Sequence, residues 1–153
     1  MNQDFQDLLL ELCEAEVRFL VVGAYALAVH GRPRATGDID IWVECSPDNA
    51  KRVYRALQAF GAPLQELQVE DLFTPDTVFQ MGLPPRRIDI LTSISGVDFT
   101  EAWPNRTEAA FGSVTVPVLG ADDLIRNKTQ TGRSKDLVDA EELRKLLDEN
   151  REQ

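Results

Sequence analysis

The chain has 153 residues, with 26 acidic and 16 basic side chains, a net charge of −10 at pH 7 and a mean hydropathy of −0.24. Its length suits one domain with a proper core, read as a single unit over 1–153 with a core over 17–118 and a helical C-terminal segment over 120–150. The acidic balance excludes a general nucleic-acid coat protein, and the longest apolar stretch, residues 19–29, is too short to span a bilayer.

Apolar residues at 5, 8, 9, 12 and 13 predict a helix over 5–16, and residues 18–22 read as a buried strand. A short helix over 24–30 follows Gly23, and a second strand covers 38–44. Ser46-Pro47 opens a helix, serine as N-cap and proline at the first helical position, which stops at Gly61. Residues 64–75 read as loop with some helix, 78–83 as a strand, Pro84-Pro85 as a turn and 87–92 as another strand. A helical turn is expected over 98–103 and a hairpin around Gly112, followed by two helices over 121–131 and 135–150. Gly132 stops the first of these and Ser134 is expected to cap the second. Interleaved helices and strands predict an α/β (α+β) domain with helices on a mixed sheet. The polar, acidic start carries no secretory signal. Cys13 and Cys45 lack metal-type spacing and read as reduced core thiols of a cytoplasmic protein.

The chemistry concentrates where the first strand runs through Gly23-Ala24 into small residues, then a basic loop, then Asp38-Ile39-Asp40. Residues i and i+2 of a strand share a face, so Asp38 and Asp40 point together while Ile39 and Ile41 point away. Adjacent carboxylates repel unless a cation neutralises them. Asp89, between Ile88 and Ile90, joins them if its strand lies beside that of Asp40. An all-oxygen set favours Mg²⁺ or Mn²⁺, and two such ions can clamp the attacking and leaving oxygens of a phosphoryl displacement. Gly23 permits close backbone approach by a phosphate. Half of the 16 basic residues lie in short clusters: Arg32 and Arg34, Arg86 and Arg87, then Arg126, Lys128, Arg133 and Lys135. The last cluster can neutralise a triphosphate.

This ordered set resembles the nucleotidyltransferase superfamily of the polymerase-beta-like fold: a hydrophobic strand, a small-residue pair, Asp-x-Asp and a later Asp. It is most similar to the stand-alone bacterial group of AbiEii-type toxin and minimal nucleotidyltransferases. The matching residues are Gly23-Ala24, Arg34-Ala35-Thr36, Asp38-Ile39-Asp40, Asp89, Lys128 and Arg133-Ser134-Lys135-Asp136. The resemblance implies metal ligation and catalysis by Asp38, Asp40 and Asp89. It implies nucleotide and phosphate binding by Gly23, Ala24, Arg34, Thr36, Lys128, Arg133 and Lys135. It further implies an NTP substrate, two Mg²⁺ (or Mn²⁺) ions, a tRNA end or a protein hydroxyl as acceptor, and a cognate toxin or antitoxin partner. One departure is Ala24-Tyr25, where many members carry serine or glycine.

Three readings follow. The first is transfer of an NMP from an NTP to an acceptor hydroxyl. The second is a non-catalytic nucleotide- or partner-binding module on the same fold, antitoxin-like. The third is a metal-dependent phosphohydrolase using water. Beside these, Asp38 and Asp40 have an alternative as acids held by Arg34, and Asp89 as an ion pair with Arg86 or Arg87. Asp136 has one as a holder of Lys128 or Arg133. His30 reads as a helix-end residue, and Tyr25, Trp42 and Trp103 as packing aromatics.

Overall fold

The computed structural model describes residues 2–33, 37–83 and 86–151. The elements run α1 (Gln3–Glu14), β1 (Phe19–Val22), α2 (Gly23–Val29), β2 (Ile39–Val43), α3 (Pro47–Phe60), β3 (Val78–Met81) and β4 (Ile88–Leu91). They continue through α4 (Phe99–Ala102), β5 (Thr107–Phe111), β6 (Val114–Val118), α5 (Ala121–Thr131) and α6 (Ser134–Arg151). Each expected element among the described residues is present within a few positions, and the expected helix in 64–75 is a 3-10 helix over Val69–Phe73. The Pro84-Pro85 turn lies outside the described residues.

Local chemistry explains the boundaries. Asn2 accepts a hydrogen bond from the Asp4 amide at 2.7 Å to start α1, whose Phe5, Leu8, Leu9 and Leu12 are all buried. Full burial of each such side chain is worth about 1.5–3 kcal/mol. Ser46 caps α3 through the Asn49 amide, and Gly61 closes it in the left-handed region at φ +90°. Ser134 departs from expectation. It is the first residue of α6 rather than its cap, because the Arg133 carbonyl already accepts the first helical bond, from the Leu137 amide at 2.9 Å.

The six strands form one mixed sheet in the order β3-β4-β2-β1-β6-β5. β1 pairs antiparallel with β2 and parallel with β6, and β2 pairs parallel with β4. β3 flanks β4 and β5 flanks β6, each antiparallel. Helix α1 packs on α3 and β6, α2 on β1, β2 and α5, and α5 on α6. Trp42 is buried edge-on to Phe99, which stacks on Trp103, and the guanidinium groups of Arg18 and Arg106 lie over the Trp103 ring. Cys13 and Cys45 are free thiols, but half-buried rather than core, each lying near the end of an element. Among the described residues no helix is long and apolar enough to cross a membrane.

Asn49 ties the frame together. Its side chain accepts from the Arg18 amide at 2.8 Å and donates to the carbonyls of Arg18 and Glu44 at 3.0 and 2.9 Å. It is 2% exposed, so Asn49→Ala strands the Arg18 amide, while the Arg18 and Glu44 carbonyls each lose one bond and keep the amides of Glu44 and Ser46. The expected cost is about 1–3 kcal/mol, read as a lower denaturation midpoint at unchanged slope.

Candidate active site

The parallel register of β2 and β4 sets Asp40 opposite Asp89, and the antiparallel pairings extend that row to Val22 on one side and Gln80 on the other. Paired residues share a face, so the condition attached to Asp89 from sequence is met. Ile39, Ile41, Ile88 and Ile90 bury on the opposite face. Asp38 immediately precedes β2 and adds its charge to the row.

The row is electrostatically loaded. Burial, a hydrogen bond with Asp89 and the charges of Asp89 and Asp38 push the Asp40 carboxyl up to about 7, against the opposing pull of Arg87. Near neutral pH the Asp40 carboxyl is therefore close to half protonated. Arg87 supplies the balancing charge. Its Nε and Nη2 reach Asp89 at 3.0 and 3.3 Å, and Nη2 reaches Asp38 at 3.2 Å. The ion-pair alternative weighed for Asp89 is thus present, with Arg87 as the partner. The basic cluster alone does not mark Arg87 as a site residue, but its i, i+2 spacing to Asp89 places both on one face.

Gly23 owes its identity to this row. Its φ is +69°, and a Cβ there would meet Asp40 Oδ2 at 2.3 Å. Gly23→Ala is expected to cost about 1–2 kcal/mol from the left-handed backbone alone and to push the Asp40 carboxylate out of the row. Thermal melts check the first effect, and a fall in the Asp40 titration midpoint, followed by carboxyl NMR, checks the second.

A basic cluster from α5, α6 and the Gly132 bend faces the carboxylates. Lys128 Nζ lies 3.1 Å from Asp136 and 3.6 Å from Asp139, Arg133 Nε lies 2.8 Å from Asp136, and the Thr131 hydroxyl donates to Asp136 at 2.7 Å. Burial works to raise the Asp136 carboxyl. Thr131, Lys128 and Arg133 outweigh it, and the carboxyl settles below the ordinary range. Asp136 thus holds both cations, the alternative weighed from sequence. Asp139, at 2% exposure, is a second anchor for Lys128.

Two clefts meet at this junction. The first, about 370 Å³, brings together Gly23, Ala24, Asp38, Asp40, Lys128, Arg133 and Lys135 of the expected set, with Arg87, Asp136 and Asp139. The second, about 490 Å³, shares Gly23, Asp40, Lys128, Arg133 and Asp136 and adds Asp89. Arg34 and Thr36 lie outside the described residues. Arg32 pairs with Glu142 of α6, His30 Nε2 bonds to the Leu119 carbonyl at 2.8 Å, and Tyr25 packs edge-on between Phe5 and Phe111.

The donor chemistry, three carboxylates gathered around the Arg87 guanidinium, suits a hard divalent cation. The side chains are not gathered into a cage: among the described residues no group of three acidic, histidine or cysteine side chains is placed to hold a metal. Arg87 stands between Asp38 and Asp89 instead.

No family model matches the chain, and no curated protein is similar to it. A solved structure from Thermotoga maritima, a "putative nucleotidyltransferase (TM1012)", is similar in fold with a TM-score of 0.64. The two share 18% identity, and the match covers 95% of this chain and 91% of that one. The six-stranded mixed sheet flanked by helices is therefore a nucleotidyltransferase-type fold, as the motif order implied.

Proposed function

We propose that this chain is a metal-dependent nucleotidyltransferase that moves an NMP from an NTP to an acceptor hydroxyl and releases pyrophosphate. The observation that carries the reading is the strand register that sets Asp40 beside Asp89, with Asp38 and Asp40 lining a cleft walled by Lys128, Arg133 and Lys135. Asp38, Asp40 and Asp89 would hold Mg²⁺ or Mn²⁺, two ions in all. These ions supply charge neutralisation at the reacting phosphorus and lower the pKa of the acceptor hydroxyl.

The chain's own residues do the rest. Lys128, Arg133 and Lys135 bind the triphosphate, joined in this proposal by Arg34 and Thr36. Gly23 and Ala24 keep the floor of the cleft low. Asp89 takes the acceptor proton, and Arg87 turns from Asp38 and Asp89 toward the phosphates. Membership of the AbiEii-type group, a toxin–antitoxin setting, an RNA-end or protein acceptor and a cytoplasmic location belong to the same proposal through the motif resemblance.

A second reading has one observation behind it. Arg87 already bridges Asp38 and Asp89, as a standing counter-ion would in a binding module without turnover. Incubation with each α-³²P-labelled NTP, Mg²⁺ or Mn²⁺ and a bacterial lysate separates the two. Label moving to an acceptor with the wild-type chain, and not with Asp38→Ala/Asp40→Ala, supports transfer. Metal-dependent NTP binding by calorimetry with no transfer supports the module.

A further inference from the structure

We propose that Arg87 is an exchangeable counter-ion: its guanidinium and a divalent cation compete for Asp38 and Asp89, and a triphosphate arriving with the cation takes the guanidinium over. This rests on the nucleotidyl-transfer reading and gives Arg87 control of metal entry to that site.

The sheet fixes where Arg87 stands. The Ile39 amide donates to the Arg87 carbonyl at 3.0 Å, so the backbone at 87 is bonded to β2 one residue from Asp38. Asp89 follows two positions later on the same face. The side chain then lies between the two carboxylates. Nη2 is 3.2 Å from Asp38 Oδ2 and 3.3 Å from Asp89 Oδ2, while Nε is 3.0 Å from Asp89 Oδ1. One nitrogen thus touches oxygens of two residues. An ion shared by those oxygens needs the space of that nitrogen and repels its charge, so one excludes the other.

The guanidinium is displaceable because it is held near the surface. The Arg87 and Asp38 side chains are 32% and 33% exposed, and ion pairs open to water hold weakly. A divalent ion brings twice the charge to the same oxygens. Arg87 also lines the first cleft, with Lys128, Arg133 and Lys135. Lys128 and Arg133 pair with Asp136, outside the proposed ligand set, whereas Arg87 pairs with the proposed ligands themselves. Once released, Arg87 has a triphosphate in that cleft to turn to, and a fork of N–H donors to bring to its oxygens. A bare ion offers the displaced guanidinium no such partner. Metal and triphosphate therefore assist each other's binding, and by linkage the assistance is reciprocal.

The test compares the full chain with Arg87→Met and Arg87→Gln. Any residue at 87 keeps the carbonyl that pairs with Ile39, so both variants are expected to fold, and urea midpoints in EDTA check this. Calorimetry at pH 7.5 reads two affinities, that of Mn²⁺ alone and that of the Mn²⁺ complex of inorganic triphosphate. In both variants the Kd of Mn²⁺ alone is expected to fall by about fivefold or more, within the range of coupled sites. The Kd of the complex is expected to move less than about twofold or to rise, since in the wild type Arg87 only exchanges one anion for another. Lys145→Met, 70% exposed on α6 and outside both clefts, loses the same charge and is expected to move neither affinity. Mn²⁺ affinity that is unchanged or weaker in both Arg87 variants overturns the exchange and leaves the carboxylates standing as the cation site. An equal gain for the triphosphate complex, or for Lys145→Met, overturns it in the same way. No Mn²⁺ binding by any of these chains, with their folds intact, overturns both the exchange and the reading it rests on.

Discussion

Asp40→Asn is expected to abolish transfer, by about 10³-fold or more on the scale of lost acid–base and electrostatic groups, and to make the protein more stable at pH 8. The second effect follows from titration. The folded chain raises the Asp40 carboxyl from 3.8 to about 7, so folding favours the protonated form. Stability from this group is complete below the unfolded value and is lost as pH rises through about 7. At pH 8 the wild type carries the ionised, crowded carboxylate and the asparagine variant does not. With about 1.4 kcal/mol per pKa unit, the difference is of order a few kcal/mol, or roughly 5 °C or more in Tm for a chain of this size. It should vanish near pH 4. Paired melts at pH 4, 6 and 8 check it, and equal melting temperatures at pH 8 would count against the raised Asp40 carboxyl.

Lys128→Ala is expected to have the largest effect on folding. Lys128 is mostly buried, and it lies against the Asp136 and Asp139 side chains at 8% and 2% exposure. Removing the cation takes an ion-pair partner from two buried carboxylates, of which Asp136 keeps Arg133 and the Thr131 hydroxyl. Breaking a buried pair from one side costs about 3–5 kcal/mol. Lys128→Ala/Asp139→Asn should recover about 1–3 kcal/mol of that loss as coupling energy. Triphosphate affinity should stay low in both variants, because the double variant restores the fold and not the charge. Urea unfolding of the four members of the cycle measures the coupling, and calorimetry with inorganic triphosphate measures the affinity.

What was legible from sequence follows the range of each interaction. Ser46, Pro47 and Gly61 delimit α3 by contacts within four residues, so the helix could be read directly. The alternation of Ile39, Asp40 and Ile41, and of Ile88, Asp89 and Ile90, assigned faces correctly because the strand period is local. Whether Asp40 and Asp89 meet depends on two strands 49 positions apart pairing in parallel, and sequence could state that only as a condition. The strand order is non-local throughout; β1 beside β6 joins residues nearly a hundred positions apart. The Lys128–Asp139 contact requires the angle between α5 and α6 at Gly132, which no side-chain pattern encodes. The second cleft draws on β3, residues 93–95 and α5, three separate stretches, and so had no linear signature.

The most direct test of the carboxylate row as a cation site is calorimetry of Mn²⁺ binding at pH 6 in two buffers of different ionisation enthalpy. Asp40 is predominantly protonated there, since its carboxyl titrates near 7. Cation binding must displace that proton. Wild type is predicted to release close to one proton for each chain loaded, and Asp40→Asn none. Binding by the wild type without proton release, or no binding at all while the fold is intact, would contradict the assignment.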